Sequence, residues 1–90
     1  MTNITYSPRA REELLRLSQS IQQRIVKKIR WFAGQENPLN FAKRLSGPLA
    51  GCWRFRIGEY RIIFDYFDDN VTIIHVLSVR HRSSVYRDVL

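Results

Sequence analysis

Hydrophobic and basic residues alternate with period two through residues 53–57, Trp-Arg-Phe-Arg-Ile, the pattern of a half-buried strand. Gly58-Glu59 follow, and glycine at the first position of a two-residue connection predicts a type II′ hairpin. Such a turn sets the register: Ile57 opposite Tyr60, Arg56 opposite Arg61, Phe55 opposite Ile62, Arg54 opposite Ile63, and Trp53 opposite Phe64. One face is then apolar, with Trp53, Phe55, Ile57, Tyr60, Ile62 and Phe64, and the other carries Arg54, Arg56 and Arg61. Like charges directly opposite each other destabilise a ladder. Stacking Arg56 on Arg61 adds nothing to a fold, so the pair points to an anionic partner. The plainer reading is a solvated face on which arginine stems cover apolar surface.

The period changes earlier in the chain. Residues 3–6 place Ile4 and Tyr6 on one parity and predict a short edge strand. Ser7-Pro8 then opens a helix, with Ser7 as cap and Pro8 at the first helical position. Ala10, Leu14, Leu17 and Ile21 recur at helical spacing. Ser20 with Gln23 reads as a capping box for a second helix, whose stripe is Ile21, Ile25, Ile29 and Phe32. Arg24, Lys27, Lys28 and Arg30 fall on its wet side, and Gly34 ends it. The short link predicts an antiparallel helical hairpin. Residues 35–40 and 46–51 read as loops, and residues 41–45 as a helical turn or a short strand. Asp68-Asp69-Asn70 predicts a three-residue turn with asparagine left-handed. Residues 71–79 are β-branched on both parities, as in a strand inside a sheet. Residues 80–87 read as a polar, basic tail.

The expected fold is therefore α+β over residues 1–90 as one domain, with two N-terminal helices packed on a four-stranded antiparallel sheet in the order β-α-α-β-β-β. No run reaches the ~18 apolar residues of a membrane span, and residues 1–6 lack the charged start and apolar run of a signal peptide. Cys52 is the single cysteine, so no intrachain disulfide forms, which fits a reducing cytoplasm. Fifteen basic residues against eight acidic ones give a net charge of +7. That balance favours nucleic acid as partner class, with an acidic protein as the other reading. Neither a carboxylate cluster nor a zinc spacing is present, so no metal or cofactor is expected.

Leu45-Ser46-Gly47, the block 53–64, Val79-Arg80-His81-Arg82 and Val85-Tyr86 resemble the RelE/ParE superfamily of toxins. The resemblance runs from the Ser7-Pro8-Arg9-Ala10 helix start to Tyr86. It implies the toxin of a type II toxin–antitoxin pair, held inactive by an antitoxin encoded beside it, with DNA contacted only indirectly through that complex. One branch cleaves messenger RNA in the ribosomal A site, and the ending His81-Arg82 with Tyr86 is more similar to that branch. The other branch inhibits DNA gyrase without nuclease activity.

Cleavage of RNA by its own 2′-OH requires deprotonation of that hydroxyl, stabilisation of charge on phosphorus, and protonation of the 5′-oxygen. Arginine suits the second task because its planar fork clamps phosphate oxygens in pairs. Arg54, Arg56, Arg61 and Arg82 are the candidates, and Lys43 and Arg44 join Arg54 and Arg56 as candidate RNA contacts. The resemblance places Arg54 and Arg56 where the best-known ribosome-dependent members carry lysine. Arginine keeps its proton, so proton transfer falls to another group. Tyr86 is favoured by resemblance and needs a pKa lowered by neighbouring arginines. His81 titrates near neutrality, and an exposed loop histidine is its plainer reading. His75, expected opposite Ile63, reads better as a hydrogen-bonded core residue. Asp65 reads as an ion-pair partner on the arginine face, and Cys52 as a small buried residue.

Overall fold

The computed structural model describes residues 2–84. Its order is β1 (Thr2–Tyr6), α1 (Pro8–Leu15), α2 (Gln19–Ala33), β2 (Lys43–Arg44), β3 (Trp53–Ile57), β4 (Tyr60–Asp68) and β5 (Thr72–His81). Short 3₁₀ turns occupy Pro38–Phe41, Gly47–Leu49 and Arg82–Ser84. The strands form one five-stranded sheet in the order β1-β5-β4-β3-β2. The α+β class and the two N-terminal helices are as expected. Two details differ: Lys43–Arg44 adds a fifth strand, and β1 pairs with β5 in parallel, so the sheet is mixed. A two-residue strand leaves no periodicity to read. The direction of β1 is set by a partner about seventy residues away, Ile4 lying opposite Ile74.

The central hairpin has the expected register, from Ile57 opposite Tyr60 to Trp53 opposite Phe64. Gly58 has φ +58°, the left-handed value that the first position of a type II′ turn requires. Phe55, Ile57, Ile62 and Phe64 are buried under the helices, which contribute Ala10, Ile25, Ile29, Phe32 and Ala33. An aromatic column runs through this core. Phe32 stacks on Phe55 and Phe55 on Phe64, each pair with ring centroids 4.2 Å apart, in the geometry that adds to plain area burial.

The helix starts are partly as expected. Ser7 caps α1, accepting from the Ala10 amide at 3.0 Å, with Pro8 just inside. For α2, Ser18 rather than Ser20 is the cap and accepts from the Ile21 amide. The cap therefore sits two residues before the expected Ser20–Gln23 box.

The second hairpin departs further. Asp68 lies opposite Thr72, and His75 lies opposite Asp65 rather than Ile63. Among the described residues no residue other than glycine has positive φ, Asn70 included. A bulge displaces the ladder between Ile63 and Phe64, where Phe64 faces Val76 and Ile63 faces Ser78. Leu77 is the extra residue, and one inserted residue inverts the alternation. Ile74, Val76 and Val79 can thus all join the core. This accounts for the apolar residues on both parities of the sequence, alongside the interior position of β5 in the sheet.

Candidate functional site

The arginine face is the sheet surface turned away from the helices. Arg56 lies opposite Arg61 on β3 and β4, and Arg61 lies opposite Arg80 on β5. Three arginines thus form one cross-strand row near the β3–β4 turn. The next row toward the sheet centre is Lys43, Arg54, Ile63 and Ser78. Beyond it, Asp65 lies opposite His75, whose Nδ1 is 2.7 Å from Thr5 Oγ1. The face is only partly open: Arg56 is exposed, Arg54 and Arg61 are half-buried, and Arg80 and Ile63 are buried.

Arg80 is not among the residues expected at the site, because residues 80–87 read as a polar tail. Its place depends on the bulge at Leu77, which brings β5 into phase so that Arg80 meets Arg61. It is held there by Glu13 of α1. The helix lies against β5 beyond the end of β1: Ser7 Oγ donates to the Leu77 carbonyl at 3.0 Å. Glu13 Oε1 accepts from Ser78 Oγ at 2.8 Å and from the Val79 amide at 2.9 Å, and Glu13 Oε2 is 3.4 Å from Arg80 Nε. Arg80 Nε also donates to Ser78 Oγ at 2.8 Å. One carboxylate therefore satisfies the strand edge and fixes the guanidinium at the end of the row.

The other candidates are placed as follows. Lys43 is exposed and faces Arg54, so it belongs to the arginine face. Arg44 faces Trp53 and sits over its ring at 5.5 Å, on the other parity. Arg82 is at the hairpin turn, its amide donating to the Glu59 carbonyl at 2.7 Å and its Nε lying 3.3 Å from Glu59 Oε1. His81 faces Tyr60 with the rings edge to face, and its Nδ1 is 2.9 Å from Ser83 Oγ. It therefore has the parity of the core face, not that of the arginine row. Tyr86 lies outside the described residues. Asp65, expected as an ion-pair partner, accepts from Cys52 Sγ at 3.5 Å. Burial, then the hydrogen bond and charge of Asp65, raise the Cys52 thiol above its ordinary value. Among the described residues no three His, Cys, Asp or Glu side chains are grouped as a metal ion would need, and no helix is long and apolar enough to cross a membrane.

Chemically, the row offers fixed positive charge and paired donors at one end of a sheet. It suits an oxyanion or a phosphate.

A family model described as the ParE toxin of a type II toxin–antitoxin system, parDE, matches residues 4–86. Toxin RelG of Mycobacterium tuberculosis (strain ATCC 25618 / H37Rv) is 31% identical over 84 residues, which cover 93% of this chain and 94% of the relative. Among solved structures, the toxin–antitoxin complex RelBE2 from M. tuberculosis contains a similar chain, with a TM-score of 0.72 and 31% identity. The match covers 89% of this chain and 96% of that one. The archaeal RelE–RelB complex from Pyrococcus horikoshii OT3 shares the fold at a TM-score of 0.66 and 21% identity, covering 90% and 94%.

Proposed function

The chain belongs to the ParE toxin family of type II toxin–antitoxin systems, within the RelE/ParE superfamily, and from that premise we propose that it is a ribosome-dependent endoribonuclease that cuts messenger RNA in the A site. The observation that carries this reading is the row Arg56–Arg61–Arg80 across three strands. Three guanidinium groups side by side offer paired donors to the oxygens of one phosphate. In the proposed reaction they hold the scissile phosphate and stabilise the extra negative charge on its oxygens as the 2′-oxygen attacks phosphorus. A fixed cluster of this kind is worth about a hundredfold in rate or more for each donor lost. Arg54 and Lys43 guide the strand on the adjacent row.

Arginine does not move the protons. That task is assigned to Tyr86, whose phenol an arginine cluster would acidify; His81, expected as the other candidate, has the parity of the opposite face. No divalent metal is invoked, and a chelator added to purified toxin on intact ribosomes is expected to leave cleavage unchanged. A cognate antitoxin is the expected partner, in keeping with the solved relatives, which are toxin–antitoxin complexes. An acidic or amphipathic segment of it would meet the basic surface, with association that slows as salt rises.

The matching family model favours a second reading, gyrase inhibition, since its description names the ParE toxin. Mapping the 5′ and 3′ ends of transcripts after expression separates the two. Cuts within codons support the nuclease. Intact messages with SOS induction overturn it in favour of gyrase.

A further inference from the structure

The basic residues of α2 form a second site that the arginine row does not account for. Arg24, Lys27, Lys28 and Trp31 of α2 face Arg56, Ile57 and Gly58 of the hairpin across a cleft of about 430 Å³. All four cations are exposed. Among the described residues none of the four is ion-paired to a carboxylate, whereas Glu12, Glu13 and Glu59 pair elsewhere, with Arg9, Arg16, Arg80 and Arg82. Two features hold the cations in place. The Arg24 guanidinium lies against the turn, so that a Cβ at Gly58 would meet its Cζ at 3.1 Å and clash with its terminal nitrogen. Lys28 Nζ sits 4.4 Å from the centroid of the Trp31 ring, which is 47% exposed.

Four positive groups facing one cleft without counter-ions repel one another and attract a polyanion. Arg56 belongs to this cleft and to the arginine row alike. The two sites are therefore continuous around the edge of β3, which β2 covers only at Trp53 and Arg54.

We propose that the cleft between α2 and the β3–β4 turn is a second phosphate-binding site, which holds the RNA strand flanking the phosphate bound by the arginine row. This rests on the nuclease reading and extends it to the path of the substrate. Arg24 and Lys27 contact successive phosphates, and Trp31 borders the strand.

The test uses the full chain and a fluorescent 12-nucleotide 2′-O-methyl RNA, which has no free 2′-OH and is not cut. Binding is titrated from 50 to 200 mM salt for the parent, for Arg24→Gln/Lys27→Gln and for Trp31→Phe. Two lost phosphate contacts are expected to weaken binding about tenfold or more and to flatten the slope of log K against log salt by roughly 0.7 per contact. Melting temperatures should stay level, since neither side chain is buried. Parent tryptophan emission should change on binding, and the change should be lost in Trp31→Phe. Unaltered affinity and slope in the double variant overturn the cleft, as does a parent that fails to bind at 50 mM salt. If the variant keeps its RNA affinity and loses affinity for an Asp/Glu-rich peptide, the cleft takes a protein and the proposal falls. Mapping of transcript ends judges the nuclease reading independently. In-codon cuts by a parent whose cleft variant binds RNA normally would leave that reading standing and remove only the cleft.

Discussion

Replacing Glu13 tests how the arginine row is built. This side chain is 20% exposed and Arg80 is 7% exposed, so the pair is largely shielded from water. Glu13→Ala removes the acceptor of the Ser78 hydroxyl and of the Val79 amide, together with the carboxylate beside Arg80. Breaking a buried pair from one side costs about 3–5 kcal/mol, and the residual exposure of Glu13 places this case near the lower end, about 3 kcal/mol. For a domain of this size 1 kcal/mol shifts the melting temperature by roughly 4–8 °C, so Glu13→Ala should melt about 12 °C or more below the parent. Glu13→Gln keeps a carbonyl acceptor for the hydroxyl and the amide and loses only the charge, so about 1 kcal/mol is expected, from the difference between charged and neutral hydrogen bonds. The neighbouring Glu12 is the control. It pairs with Arg16 at 3.1 Å, both side chains being exposed, and Glu12→Ala should cost under about 0.5 kcal/mol. Thermal melts followed by circular dichroism, with all three variants side by side, measure this. Equal melting of Glu13→Ala and Glu12→Ala would show that Glu13 does not brace the strand edge.

Arg56→Gln should leave stability level or raise it by a few tenths of a kcal/mol, because it relieves repulsion from Arg61. It should lower cleavage about a hundredfold. A variant that melts well below the parent and still cuts messenger RNA would make the row a scaffold. The Tyr6 hydroxyl is buried and has no hydrogen-bond partner among the described residues, so Tyr6→Phe should be neutral or stabilising by up to about 1 kcal/mol. Burial raises the Tyr6 phenol above its ordinary value, against the opposing charge of Arg30. Its contribution is full below the unfolded pKa of about 10 and is lost as pH rises toward the folded value. Melts from pH 8 to about 11 should therefore fall less steeply for Tyr6→Phe than for the parent. Cys52, with its thiol raised by burial and by Asp65, should react with a maleimide more slowly than a free cysteine at pH 7.5, and Asp65→Asn should speed it.

The first hairpin was legible because its information is local. Gly58 sets the turn, and a two-residue turn leaves one register for Trp53 to Phe64. The core face followed from that register and from helical stripes whose residues Ala10, Ile25, Ile29 and Phe32 do meet it. Arg54, Arg56 and Arg61 were legible for the same reason. Arg80 was not, because one bulged residue changes which side of β5 each position faces, and no residue type marks the bulge. The run Val79-Arg80 held a usable signal: continuing the hairpin's pairing with Val79 opposite Ile62 puts Arg80 opposite Arg61. Glu13 was not legible either, since its partners lie 65 and 66 residues away. His81 and Arg82 were candidates through the resemblance and their side-chain chemistry, and the pleat places His81 on the other side of the sheet from the row.

The parallel pairing of β1 with β5 sets a clock on synthesis. Thr2–Tyr6 cannot find its place until Thr72–Val76 exists, and Arg80 is made later still. At 5–20 residues per second, roughly three to fifteen seconds separate the emergence of the two strands. Closing so long a loop also comes late on thermodynamic grounds, because its entropy is lost before any contact repays it. Arg56 and Arg61, made late in that interval, still await their third member, on a sheet that lacks the strand joining β1 to β4. The arginine row is thus among the last features of the fold to be completed.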